Sequence, residues 1–253
     1  MTRNIALLLS YDGRNYHGWQ SQANSRSIQD TLNSAVSSLF NEEIKVVGCG
    51  RTDTGVHAKN YIASLRTSSN VPIEKIPFGV NAYLPKDISV RQAFEVSPDF
   101  HAVHSCIRKE YTYYIYSAPV HDPFLDGRAL HTRLPLNLEL MQTAADAFVG
   151  RHDFSAVRSL GTPVKSTVRE IFQCDISKEG KLVAIKIAAD GFLYNMARTI
   201  VGTLLDVSSG KIPADSISDI LLSKDRSRAG ATAPAHGLYM TDITYPEQFG
   251  ITI

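Results

Sequence analysis

Apolar and polar positions along the chain alternate between two spacings, and the changes of spacing mark out its elements. Ile5–Ser10 reads as a buried strand, and Asp12–Gly13 as the turn that ends it. Ser27, with Asp30 in the capping-box position, opens a helix whose apolar face is Ile28, Leu32, Ala35, Val36 and Leu39. Two strands are expected at Ile44–Val47 and Tyr61–Arg66, then a helix at Ile73–Val80 interrupted by Pro77, then a strand at Ile88–Val96 with Ile88, Val90 and Gln92 facing one way. The order β-α-β-β-α-β then recurs. Tyr111–Ser117 is a strand, and Asn137 caps a helix that runs to Val149 and stops at Gly150. Val168–Ser177 and Leu182–Ala189 form a hairpin around Glu179–Gly180. Phe192–Ser208 is a long helix ended by Gly210, Ala214–Leu222 an extra helix, and Leu238–Thr244 the closing strand.

The pattern predicts an α+β chain of two ferredoxin-like halves, residues 1–104 and 105–253, with antiparallel sheets side by side and a cleft between them. The halves repeat in pattern only and share no visible sequence identity. A fold of this kind does not specify a function.

Composition narrows the picture. At 43% hydrophobic and 20% charged residues, the 253-residue chain is an ordinary globular protein with ample core. A net charge of +1 does not point to a nucleic-acid binder, so any such site must be a local patch. The candidate patches are Arg108–Lys109, Arg151–His152–Arg158, Lys165–Arg169 and Lys224–Arg226–Arg228, each of which reads by itself as solvated charge. Three scattered cysteines, Cys49, Cys106 and Cys174, argue for a reducing compartment and against disulfides or structural zinc. The apolar run Ile5–Leu9 is too short for a signal core or a membrane span, and a cytoplasmic location is expected.

The chemistry concentrates in Gly48-Cys49-Gly50-Arg51-Thr52-Asp53-Thr54-Gly55-Val56-His57-Ala58. Its glycines permit tight backbone, and Arg51 and Asp53 put a cation and a carboxylate on one loop. An Asp-Thr-Gly triplet taken alone is a turn bonded to its own backbone. The sharper reading is a carboxylate kept ionised by a nearby arginine. A second cation, Arg198, lies at helical spacing from Tyr194, Val201 and Leu205, where a guanidinium either snorkels to water or finds a buried partner.

The residues Gly50 to Ala58 closely resemble the catalytic motif of the bacterial tRNA pseudouridine synthases of the A type. Tyr11-Asp12-Gly13 with Tyr16-His17-Gly18-Trp19-Gln20 is similar to that family's opening signature. Asn81-Ala82-Tyr83-Leu84-Pro85, Phe100-His101-Ala102 and His152-Asp153-Phe154-Ser155 also fit. So do Phe192-Leu193-Tyr194-Asn195-Met196-Ala197-Arg198 and Ala231-Thr232-Ala233-Pro234-Ala235-His236-Gly237-Leu238. The matches run in family order from residue 11 to residue 238. Val103 stands where the family has arginine, His104 where an aromatic residue is common, Ala197 for valine, and Asn60–Tyr61 for a Gln-Val pair; none of these touches the Asp53, Tyr111 and Arg198 set.

The resemblance implies the pseudouridine synthase fold and the isomerisation of uridine to pseudouridine at positions 38, 39 and 40 in the anticodon stem-loop of tRNA. It implies Asp53 as the catalytic carboxylate, paired with Arg198, and Tyr111 as the active-site tyrosine on the uracil. By strand pattern alone Tyr111 and Tyr113 share a face and cannot be told apart. Arg51 is implied to fill the space of the everted base, and His101, His104, Lys165 and Arg169 to contact RNA. A homodimer is implied, and no cofactor and no metal. The residues agree, with no phosphate loop or dinucleotide fingerprint and no third ligand near His101 and His104.

Two other readings compete. An Asp-Thr-Gly aspartic protease would need two carboxylates sharing a proton, which Arg51 opposes. A non-catalytic RNA-binding module on ferredoxin-like sheets would leave the Asp53 loop without a role.

Overall fold

The computed structural model describes residues 2–161 and 163–253. In chain order the strands are β1 (Arg3–Tyr11), β2 (Val47–Gly48), β3 (His57–Thr67), β4 (Ile88–Val96), β5 (Arg108–Ser117), β6 (Leu130–Thr132), β7 (Gly150–Asp153), β8 (Val168–Glu179), β9 (Leu182–Ala189) and β10 (Leu238–Thr244). The helices are α1 (Ile28–Phe40), α2 (Ile76–Asn81), α3 (Leu138–Asp146), α4 (Met196–Ser208) and α5 (Ile217–Ser223). The class is α+β. The chain forms two compact units, Met1–Arg108 with Tyr239–Ile253, and Lys109–Leu238.

In the first unit, β1 lies between β3 and β4, antiparallel to both. Being central, it is apolar on both faces, with Ile5, Leu7 and Leu9 wholly buried. Of the capping box expected on α1 the forward half is present, since Ser27 Oγ accepts Asp30 N–H; the Asp30 carboxylate accepts the Ser27 hydroxyl at 2.6 Å in place of the backbone N–H. Asn41 ends the helix in the left-handed region. Leu39 is only half-buried and rests on Gly79 of α2, where a Cβ would lie 2.5 Å from it; Phe40 takes the buried place. Pro77 sits in the first turn of α2, where its missing N–H costs nothing.

The expected strand at 44–47 reduces to Val47–Gly48. Asn33 and Ser37 of α1 take the N–H groups of Val46 and Ile44, so these buried residues pair with side chains instead of a strand. In β4, Ile88 and Val90 are buried as expected but Gln92 is exposed, because a bulge opposite Leu8–Leu9 shifts the register.

The second unit is an antiparallel sheet in the order β5-β9-β8-β7, with β6 parallel to β5. Asn137 caps α3 through Leu140 N–H, and Gly180 turns the β8–β9 hairpin at φ +57°. The expected helix from Phe192 begins four residues late, because Asn195 adopts a left-handed conformation that helical propagation cannot cross.

The last strand departs from the division into residues 1–104 and 105–253. Tyr239–Ile253 group with the first unit, where β10 runs parallel to β3 with Tyr239 opposite His57. The cause is apolar. Met240 meets Cys49, and Tyr245 packs on Phe100 and donates to Ala102 O.

Candidate functional site

The loop from β2 to β3 carries Arg51 and Asp53, and the segment 11–19 grips it from several directions. Trp19 N–H donates to Thr52 O at 3.1 Å, and Gly55 N–H to Tyr16 O at 3.3 Å. Tyr11 Oη and Thr52 Oγ1 are 2.9 Å apart and buried, and burial pushes the Tyr11 phenol far above its usual range. Tyr61 donates to Gly50 O, and its ring stacks on Trp19 at 4.3 Å.

Glycine makes this approach possible. A Cβ on Gly13 would lie 1.9 Å from Val56 O, and one on Gly18, whose φ is +81°, 2.3 Å from Thr52 O. Asp53 opens a turn closed by Val56 N–H to Asp53 O, with Gly55 at φ +80° in its third position, as a type II turn demands. The Asp-Thr-Gly triplet is therefore a turn, and Asp53 is half-buried on it. Arg51 is exposed and donates to Gln20 Oε1.

His57 underlies the loop at 2% exposure, its ring stacked on Tyr239 at 4.4 Å. Its Nδ1 accepts Gly13 N–H at 3.2 Å and lies 3.2 Å from Asp12 Oδ1. Burial pushes the Asp12 carboxylate up, but hydrogen bonds from Arg14 outweigh it and leave the group below its ordinary value.

In the second unit, β5 separates the two tyrosines that strand pattern could not. Tyr113 is wholly buried, its hydroxyl donates to Pro234 O at 2.8 Å, and Gly237 packs on its ring. Burial raises its phenol well above the usual range against the charge of Arg198. Tyr111 is edge-on to Phe192 at 4.8 Å. Arg198, in the first turn of α4, donates from Nε to Ala233 O at 2.8 Å and from Nη1 to Asn195 Oδ1 at 2.9 Å. The segment Phe192–Asn195 thus touches both Tyr111 and Arg198.

The expected RNA contacts divide between the two units, His101 and His104 in the first and Lys165 and Arg169 in the second. His101 and His104 pair at 4.3 Å, and His101 Nδ1 accepts Val103 N–H, so the His-x-x-His spacing belongs to a local turn. Burial, then the charge of His104, lowers the His101 pKa. Lys165 is exposed, whereas Arg169 donates to the carbonyls of Ser166 and Val168. Among the basic patches, Arg108 pairs with Asp242 and Lys224 with Asp153, while Arg226 and Arg228 bond carbonyls of their own region. Among the described residues, no group of three or more His, Cys, Asp or Glu could hold a metal ion. Among the described residues the three cysteines form no disulfide, and no helix is long and apolar enough to cross a membrane.

Sequence reasoning missed the support. Tyr61, expected as a strand residue and a departure from the family pattern, holds the loop at Gly50 O and stacks on Trp19 beside it, so that departure does touch the surroundings of Asp53. Asn195 was part of a motif without a role. The helix expected from Phe192 placed it inside the helix, and the available signal was its residue type, a favoured N-cap three residues before Arg198.

A family model described as tRNA pseudouridine synthase matches residues 8–105 and 144–246. The chain is 45% identical over 243 residues to tRNA pseudouridine synthase A of Acetivibrio thermocellus, covering 96% of this chain and 100% of that protein. Identity and coverage are the same against the protein of that name from a Thermoanaerobacter species. Against the one from Pelobacter propionicus, identity is 41% over 243 residues, again with 96% and 100% covered.

Proposed function

The chain belongs to the tRNA pseudouridine synthase family, an isomerase family, and we propose that it uses Asp53 to isomerise uridine in the anticodon stem-loop of tRNA. The positions are the three that the resemblance implies. In this reaction the bond from ribose C1′ to N1 breaks, the uracil turns, and C5 joins C1′. The C5 proton is lost and N1 gains one, so the product is an isomer and no redox partner is consumed.

The carboxylate of Asp53 is the nucleophile, or the stabiliser of the electron-poor carbon, and must be ionised to act. Arg198 is the cation that pairs with it and orients it. Tyr111 stacks on the uracil and sets its hydroxyl toward the C5 proton; the commitment of the Tyr113 hydroxyl to Pro234 O supports choosing Tyr111. Arg51, exposed beside Asp53, occupies the place of the everted uridine, whose unstacking costs a few kcal/mol. His101, His104, Lys165 and Arg169 contact the RNA backbone. The enzyme works in the cytoplasm as a homodimer, which gathers positive charge that a +1 chain lacks.

One observation carries the reading. Asp53 stands at the head of a turn whose backbone is bonded on both sides by the Tyr16–Trp19 segment, so its carboxylate is presented on a fixed base. Asp53→Asn keeps that geometry and removes the charge. It is expected to abolish pseudouridine formation while tRNA affinity stays within about tenfold, since phosphate contacts dominate binding. Turnover by the Asn variant, measured by mapping pseudouridine in tRNA, ends the assignment.

A further inference from the structure

We propose that Asn195 is a positioning residue that sets the plane of the Arg198 guanidinium and ties it to Ser159. The proposal rests on the pairing of Arg198 with Asp53 proposed above.

Asn195 occupies the N-cap of α4, and its carbonyl accepts Thr199 N–H at 2.9 Å as a cap should. An asparagine there ordinarily turns its side-chain oxygen onto a backbone N–H of the first turn, a bond worth about 1 kcal/mol. Asn195 makes no such bond. Its Oδ1 accepts instead from the side chain of Arg198, at 2.9 Å, and its Nδ2 donates to Ser159 Oγ at 2.9 Å.

A second local rule is set aside at the same place. The first turn of α4 holds no acidic residue, and Arg198 is its third residue, where a cation opposes the positive end of the helix dipole. The helix end thus forgoes both a side-chain cap and a favourable charge, and both departures serve the placement of one guanidinium.

The geometry shows what is gained. With Nε on Ala233 O and Nη1 on Asn195 Oδ1, two of the three nitrogens are fixed and the plane cannot turn about the side-chain axis. Asn195 is itself fixed at φ +59°, a conformation asparagine tolerates better than other side chains. Ser159 anchors it from the far side, by its hydroxyl and by its N–H to Tyr194 O at 3.0 Å. The orientation of Arg198 therefore follows the placement of Ser159.

Asn195→Gly separates this role from a structural one. Glycine accepts the left-handed backbone, and no capping bond is lost, so the variant folds with a near-normal thermal midpoint. Its tRNA affinity is expected to stay within about threefold, while its single-turnover rate falls about 100-fold, the scale of a misplaced catalytic group. Asn195→Asp keeps the acceptor for Arg198 and should recover most of that rate. In the Arg198→Lys background, Asn195→Gly should add less than about threefold, since the partner it sets is already gone. A normal rate for the Gly variant, an equally slow Asp variant, or a full further loss in the Lys background each overturns the proposal while leaving the role of Arg198 standing. A fully active Arg198→Lys protein overturns that role, and the proposal with it.

Discussion

The two segments that carry the proposed chemistry are held by opposite means. The Asp53 loop is gripped largely through backbone, with Thr52 O and Gly55 N–H bonded to Trp19 and Tyr16, and Gly13 and Gly18 admitting an approach that any side chain would block. Arg198 is held through its own side chain, by Ala233 O and Asn195 Oδ1. A group presented by backbone keeps its place when its side chain is exchanged. A group held by its side chain does not. The first region should therefore be sensitive to added atoms and the second to altered polar groups.

The largest break in this comparison is expected at Gly18. Gly18→Ala puts a methyl 2.3 Å from Thr52 O on a residue whose φ is +81°. Destabilisation by about 3 kcal/mol is expected, combining left-handed strain with a displaced carbonyl, and pseudouridine formation should be lost even where the protein remains folded. Denaturant titration and tRNA mapping check it; a tolerated alanine means the backbone grip is not what presents Asp53.

Thr52→Val tests a buried side-chain bond on that loop. It leaves the buried Tyr11 hydroxyl without Thr52 Oγ1, at a cost of about 1–2 kcal/mol. Because the backbone bonds to Thr52 and Gly55 remain, the rate at a temperature where the protein stays folded should fall less than for Asn195→Gly. A larger fall would reverse the comparison.

The smallest effect is expected at Asp153, in the second unit. Burial pushes this carboxyl up, but Lys224, Ser155 and Thr167 outweigh it and hold it well below the usual carboxylate range. A depressed folded value stabilises above the unfolded value and is lost as pH falls through the folded one. Asp153→Asn should therefore be less stable than the parent at neutral pH, by under about 1 kcal/mol because Lys224 is exposed. The gap should close in acid. A gap that persists at the lowest pH where both proteins fold assigns the loss to packing.

Much of the fold was legible because it depends on neighbours in sequence. The Ser27 cap on the Asp30 N–H and the Gly180 hairpin are local chemistry, and the structure holds both. Where the reading failed, a distant or conformational choice decided. Ile44 and Val46 look like strand, but their N–H groups go to Ser37 and Asn33. Phe192-Leu193-Tyr194 looks like helix, but Asn195 turns left-handed after it. The address of β10 was hidden because the partner that pairs with it, His57, is remote in sequence. At the site, the loop announced itself through its density of glycine and charge. Its supports did not, since the value of Gly18 or Tyr61 lies in which atom each approaches.

The return of Tyr239–Ile253 to the first unit has a consequence for how the protein is made. The parallel neighbour of β3 and the ring against which His57 stacks both belong to β10. All of Lys109–Leu238 is translated before Tyr239. A nascent chain that has delivered the Asp53 loop to the outside of the ribosome must therefore wait for the whole inserted unit before the loop's foundation is complete. Chains released before Tyr239 would carry the entire glycine-rich motif and still lack its floor, so only products that extend through β10 can acquire activity.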